Sequence, residues 1–274
     1  MRIFLHRNLK KSKKSGMGGG AFTRCDIDIV RETVCQFAGE VEILLNGKVI
    51  KKHNTILTAL LNASAQGAAV GTFDAINSMQ FMAAGPTILD TVAATKVAGG
   101  TGAEDYITFQ GVYTNGSGVS KTVTDLRLGH SILVGTIYAT SDITDTIVPN
   151  GDTLTINWKI TFSLVPGDMQ PQYRYNVVKM LDSGLFDVPD KMDFVEAAVS
   201  NTEVATLEGG GTGAEAYHQW VSEFTASSAV TIIQVELYHT AVDDYTVSDL
   251  TDKSLSIGEK LTVHTKLTHS AAQG

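Results

Sequence analysis

The stretch SDITDTIVPNGDTLTINWKITFS, Ser141–Ser163, recurs without a gap as SDLTDKSLSIGEKLTVHTKLTHS, Ser248–Ser270, with ten of the 23 positions identical. Unrelated sequences of ordinary composition would agree at about one or two. In the first copy Leu154, Ile156, Trp158, Ile160 and Phe162 alternate with Thr155, Asn157, Lys159 and Thr161. Period two with one apolar side is the pattern of a strand on a half-buried sheet. The second copy keeps Leu261, Val263 and Leu267 but carries Thr265 and His269 where Trp158 and Phe162 stand, so looser packing is expected there.

Upstream, GGTGAEDY at Gly99–Tyr106 returns as GGTGAEAY at Gly210–Tyr217. The offset is 111 residues in this block and 107 in the first, a repeat the size of a whole small domain rather than a solenoid unit. A chain of 274 residues is long enough for two such units, each with its own core.

Each copy opens with an apolar helical pattern. In the first, Asn54 or Thr55 can cap a helix whose Ile56, Leu57, Leu60 and Leu61 share a face, with Gly67 at its end. The second is centred on Val177, Met180 and Leu181. Extended segments follow: NSMQFMAAG (Asn77–Gly85) and its counterpart DKMDFVEAA (Asp190–Ala198), then Tyr106–Tyr113, Thr122–Leu128 and Val230–Tyr238. Short strands separated by Gly, Asn, Asp and Ser turns predict antiparallel sandwiches. Pro166 and Pro171 interrupt ladders between the copies, placing a linker at Val165–Gln172.

Charge is divided along the chain. Seven of the 21 basic residues precede Cys25 and no acid precedes Asp26, which leaves a net charge of −15 on the rest. Residues 1–24, with Lys10, Lys11, Lys13 and Lys14 beside a glycine-rich run, read as a basic flexible arm. From Cys25 to Asn46 the pattern turns strand-like, able to dock on the first unit or on a neighbour. The arm suits an acidic protein surface, including a second copy of this chain. Nucleic acid is a weaker partner, because the body would repel a polyanion. No run of ~18–20 apolar residues predicts a membrane span, and the charged start does not resemble a secretion signal. Cys25 and Cys35 read as free thiols or as one bridge across a hairpin.

Catalytic chemistry finds no support in these residues. GGTGAE lacks the GK[ST] of a phosphate loop and reads as a flexible connection before an edge strand. Asp142 with Asp145, and Asp249 with Asp252, put carboxylates three apart in what reads as a polar loop. They suit turn capping, or ligation of calcium. His264 and His269 lie an odd number apart in one strand, so they face opposite sides and cannot grip one metal together. His130 and His239 read as strand-end histidines. No cofactor is expected.

The order of helix, short apolar strand, Gly/Thr-rich loop, strands and closing strand resembles the β-sandwich modules of virion structural proteins from tailed bacteriophages and archaeal viruses. These include tail, neck, fibre and capsid-decorating components. In that family the closing segment reads L-x-[VI]-x-W-x-[IV]-x-F, which GDTLTINWKITF at Gly151–Phe162 fits well and GEKLTVHTKLTH at Gly258–His269 fits loosely. The resemblance implies a non-enzymatic protein of the virion that forms homo-oligomers and docks on other virion proteins.

The expected architecture is mainly β. Two tandem, internally homologous antiparallel β-sandwich domains span 41–165 and 173–274, each with a short helix. An arm and docking strand (1–40) precede them and a linker (166–172) joins them. The alternative is a carbohydrate- or receptor-binding surface module using Tyr106, Tyr113, Tyr217 and Tyr238 as stacking faces.

Overall fold

The computed structural model describes residues 4–8, 26–85, 87–100, 105–133, 135–164, 170–197, 199–213, 215–240 and 244–272. The protein is mainly β, with two helices. It begins with β1 (Phe4–Asn8), β2 (Asp26–Leu45), β3 (Lys48–His53), β4 (Thr55–Ile56) and α1 (Thr58–Val70). Strands β5 (Ser78–Ala83), β6 (Thr87–Ala93), β7 (Thr95–Gly100) and β8 (Asp105–Thr114) follow, then β9 (Lys121–His130), β10 (Thr136–Val148) and β11 (Thr153–Leu164). After α2 (Pro171–Ser183) come β12 (Lys191–Val195), β13 (Ser200–Val204), β14 (Thr206–Gly211) and β15 (Glu215–Thr225). The chain ends with β16 (Val230–Tyr238), β17 (Asp244–Leu255) and β18 (Lys260–Ala271).

One sheet runs β14-β15-β18-β2-β11-β8-β7, with β1 and β3 also paired to β2. The other strands form a sheet β4-β10-β9-β5-β6 and a sheet β13-β12-β16-β17, whose apolar side chains share the buried core with the first. The strands after α1 and those after α2 therefore pair in the same order. The alternation read from LTINWKITF holds: Leu154, Ile156, Trp158, Ile160 and Phe162 are all buried, as are Met79, Phe81, Met192 and Phe194.

Strand β2 is the spine. Its residues 27–37 run parallel to β18, while residues 35–45 run antiparallel to β11. The parallel seam departs from the antiparallel expectation, and it follows from one strand serving two groups. At Gln36 the two ladders meet: Ser163 faces it from one side and Ser270 from the other. Moving away from Gln36, matching residues of β11 and β18 meet β2 at equal distances in opposite directions, which is the geometry of a local two-fold axis through Gln36.

The helices carry the same relationship. Gly71-Thr72-Phe73-Asp74 after α1 and Gly184-Leu185-Phe186-Asp187 after α2 meet as a short antiparallel bridge, Thr72 opposite Leu185. Phe73 N–H donates to Gly184 O at 2.8 Å, and Phe186 N–H donates to Gly71 O at 3.1 Å. Like pairs with like here. The helices also cross over: α1 packs on β15 and β18 as well as β10, and α2 packs on β7 and β8 as well as β17. The groups interlock through two helices and one strand, rather than following each other like beads.

Several expectations are corrected. Asn54 and Thr55 do not cap α1, because Thr55–Ile56 pair with β10 and Leu57 N–H donates to Tyr138 O, so the chain stays extended to Leu57. Gly67 does not end α1. It sits where the helices touch, where a Cβ would stand 2.8 Å from Met180 Sδ, and the left-handed C-cap is Gly71 at φ 84°. Pro171 belongs to the first turn of α2, where its missing N–H costs nothing, and not to a linker. Residues 165–169 lie outside the described residues.

The foot of β18 is not loosely packed. Thr265 and His269 are 4% and 0% exposed. Trp220 lies opposite Thr265, where the other ladder sets Phe109 opposite Trp158, so part of the lost ring volume returns from the neighbouring strand. Phe4–Asn8 is a strand on β2 rather than free arm, so Lys10, Lys11, Lys13 and Lys14 fall in the β1–β2 connection; they lie outside the described residues.

Candidate functional site

Beneath the helix crossing lies a cluster of buried polar groups. His269 contacts Ser64 Oγ through Nδ1 and Tyr173 Oη through Nε2, both at 2.7 Å, so it joins α1 to α2. Ser64 Oγ also donates to Leu61 O at 3.0 Å. With that proton committed, Nδ1–H donates to Ser64 and Nε2 accepts from Tyr173. His218, on the next strand, stands 5.7 Å from His269 between ring centroids, and neither of its nitrogens has a hydrogen-bond partner. Burial holds His269 at a pKa of about 3. Burial, and then the neighbouring His269, hold His218 well below the ordinary imidazole range. Both rings are neutral at physiological pH.

Across the axis, Arg174 on α2 reaches Asp105 at 2.6 Å, with Asp105 2% exposed. Cys35 lies on the inward face of β2; burial first, then the Asp105 carboxylate, pushes its thiol up to about 12. It is a free cysteine. The bridge expected as one alternative involves Cys25, which lies outside the described residues.

A serine hydrogen-bonded to histidine invites comparison with a nucleophile and its base. Here Ser64 and His269 are both 0% exposed, and the serine sits inside a helix between two layers. The positions equivalent to His269, His218, Ser64 and Tyr173 in the other group are Phe162, Ile107, Val177 and Leu60, so the cluster replaces apolar packing. Through His269 it ties α1 to α2.

The sequence-derived candidates stand on the outside. Asp142, Asp145, Asp249 and Asp252 are exposed on β10 and β17, not in loops, because Ser141, Ile143, Ser248 and Leu250 take the inward positions of those strands. Among the described residues no group of three or more His, Cys, Asp or Glu side chains is arranged to hold a metal ion. His264 faces outward, opposite to His269, and contacts Asp28 at 3.0 Å and Glu208 at 2.6 Å. His130 Nδ1 lies 2.7 Å from Ala75 O.

The glycine pairs of GGTGAE lie inside edge strands β7 and β14 rather than in a flexible connection, although residues 101–104 are outside the described set. The reason lies one strand in. Gly100 pairs with Tyr106 and Gly211 with Tyr217, and these rings lean over the glycines. On the other flank Lys159 and Lys266 each place Nζ 4.6 Å from the ring centroid. A ring that covers a bare edge glycine and accepts a cation restores packing the glycine cannot supply. Of the four tyrosines offered as stacking faces, Tyr106 and Tyr217 each hold a lysine against the ring, and Tyr113 is buried.

Sequence reading missed the Gly-x-Phe-Asp match at Gly71–Asp74 and Gly184–Asp187 and the tyrosines that serve it. Phe73 stacks on Tyr138 at 5.3 Å, and Phe186 meets Tyr245 at 5.9 Å. Each tyrosine hydroxyl donates to the aspartate's main-chain carbonyl, Tyr138 to Asp74 at 3.0 Å and Tyr245 to Asp187. The signal was present as three identical residues in four at an offset of 113.

No helix among the described residues is long and apolar enough to cross a membrane. Compared with protein families, characterised proteins and solved structures, the chain matches none.

Proposed function

We propose that this chain is a non-enzymatic virion structural protein. It assembles with copies of itself and docks on capsid, neck or tail through the basic segment near its N-terminus. Its two halves are homologous β-sandwich units descended from one duplicated module. The observation that carries the reading is the like-on-like bridge of Thr72 with Leu185, together with Gln36 lying between Ser163 and Ser270. A body with internal two-fold character presents related faces twice, which suits a repeating assembly. A basic segment beside an acidic body supplies attraction between copies. The polar cluster is sealed inside the fold, so the chemistry left on the surface is that of contact.

Native mass measurement of the full chain and of a chain lacking residues 1–24 tests this. The full chain should give a defined oligomer, and the truncated chain should remain folded by circular dichroism while falling to monomers. A monomer in both cases would overturn the reading.

A further inference from the structure

A cleft of about 250 Å³ lies between α1 and the Gly71–Asp74 turn, lined by Ala63, Gln66, Val70, Phe73, Asp74 and Tyr138. Each of these positions has a counterpart in the second half, where side chains from α2 pair with the aspartate and the tyrosine. There Lys179 Nζ lies 3.0 Å from both carboxylate oxygens of Asp187. Asn176 Nδ2 donates to Tyr245 Oη at 3.1 Å. In the first half Ala63 stands for Asn176 and Gln66 for Lys179, while phenylalanine, aspartate and tyrosine are retained. The Asp74 carboxylate is exposed and has no hydrogen bond or ion pair among the described residues. Tyr138 uses its proton on Asp74 O, so its oxygen can still accept.

We infer that this cleft binds a primary ammonium group, and that the occupant is a lysine side chain from Lys10–Lys14 of a second copy of this chain. The second half supplies the template: an ammonium held between the two carboxylate oxygens of Asp187. A third N–H can point at Tyr138 Oη, the acceptor that Asn176 occupies in the counterpart. The butyl stem of a lysine fits along Phe73 and Val70.

Charge selects the donor. Four lysines lie within Lys10–Lys14 and no acid precedes Asp26, whereas the chain beyond Arg24 carries −15. A single ion pair at an exposed rim is worth roughly 0–1 kcal/mol, too little to retain a free amine. Tethering within an assembly raises the local concentration of the lysine without any new contact. The inference therefore rests on the self-assembly proposed above, and it names the contact that assembly uses.

Carbodiimide, which joins a carboxylate directly to an amine, tests it on an assembled equal mixture of isotopically light and heavy full-length protein. Peptide mass mapping should find Asp74 joined to Lys10, Lys11, Lys13 or Lys14 in light–heavy pairs. Gln66→Lys places an ammonium on α1 beside Asp74 and should lower that yield at least about tenfold without unfolding the protein. Light–light and heavy–heavy pairs alone would overturn the second copy as donor. Failure of Asp74 to join the stretch, or indifference to Gln66→Lys, would overturn the site. Native mass of the same samples separates the two readings: an oligomer without the Asp74 product sinks the site alone, and a monomer sinks the assembly and with it the second-copy donor.

Discussion

Gly211 lies so close beneath the ring of Tyr217 that a Cβ on it would stand 2.3 Å from Cε1, whereas a Cβ on Gly100 would meet Tyr106 at 3.4 Å. The two glycines occupy matching places in the motif, yet only one is sterically obligatory. Gly211→Ala should push Tyr217 off the edge strand and away from Lys266, costing about 1–2 kcal/mol in urea unfolding. Gly100→Ala should cost less than about 0.5 kcal/mol. Equal costs would mean that the ring contact does not hold the edge.

The buried histidines make stability depend on acid. Their folded-state pKa values lie below the unfolded value, to about 3 for His269, so the unfolded chain binds more protons as pH falls below 6.5. Stability conferred by the neutral rings is fully present above pH 6.5 and is lost as pH drops, down to about 3 for His269, at up to about 1.4 kcal/mol per pH unit for each imidazole. Replacing the cluster by its apolar counterparts (His269→Phe, His218→Ile, Ser64→Val and Tyr173→Leu together) should flatten the dependence of the urea midpoint between pH 6.5 and 4.5. An unchanged slope would locate the acid sensitivity in the carboxylates.

Asp105 and Arg174 have Ala216 and Leu61 as counterparts. Arg174→Leu alone removes the cation from a buried carboxylate and should cost about 3–5 kcal/mol. Adding Asp105→Ala restores the apolar pairing found on the other side of the axis, and the double variant should return to within about 1.5 kcal/mol of the parent. Additive losses in the double-mutant cycle would contradict the equivalence of the two helix seats.

Cys35 should resist iodoacetamide at pH 8 in the folded protein, its thiol being buried and pushed to about 12. Peptide mapping after brief labelling should find it unmodified until urea unfolds the chain. Labelling of native protein would mean that β2 opens locally.

Much of this architecture was legible in the chain. The alternation along Leu154–Phe162 fixed both the strand and its buried face, because period two is a local property. The repeat foretold equivalent strand orders for the same reason: equal patterns pair alike. What escaped was non-local. Nothing in the periodicity of Asp26–Leu45 says that one half of it will run parallel to β18, or that α1 will reach past its own strands to pack on β15. The roles of Gly67 and Thr55 were misread because a helix boundary depends on the strand that Ile56 joins and the helix that Gly67 touches. The cluster at His269 was invisible because its members, Ser64, Tyr173 and His218, are far apart in sequence and meet only through that exchange.

A strand has a direction, and β2 occupies a place where the surroundings read the same from either end. Two separate chains folded like these halves would present two tails to a slot that admits one, so one tail would always be turned away. Joining both halves behind a single N-terminal segment ends that competition. It also obliges the flanking strands to differ, since one neighbour must accept a polarity that the other never meets.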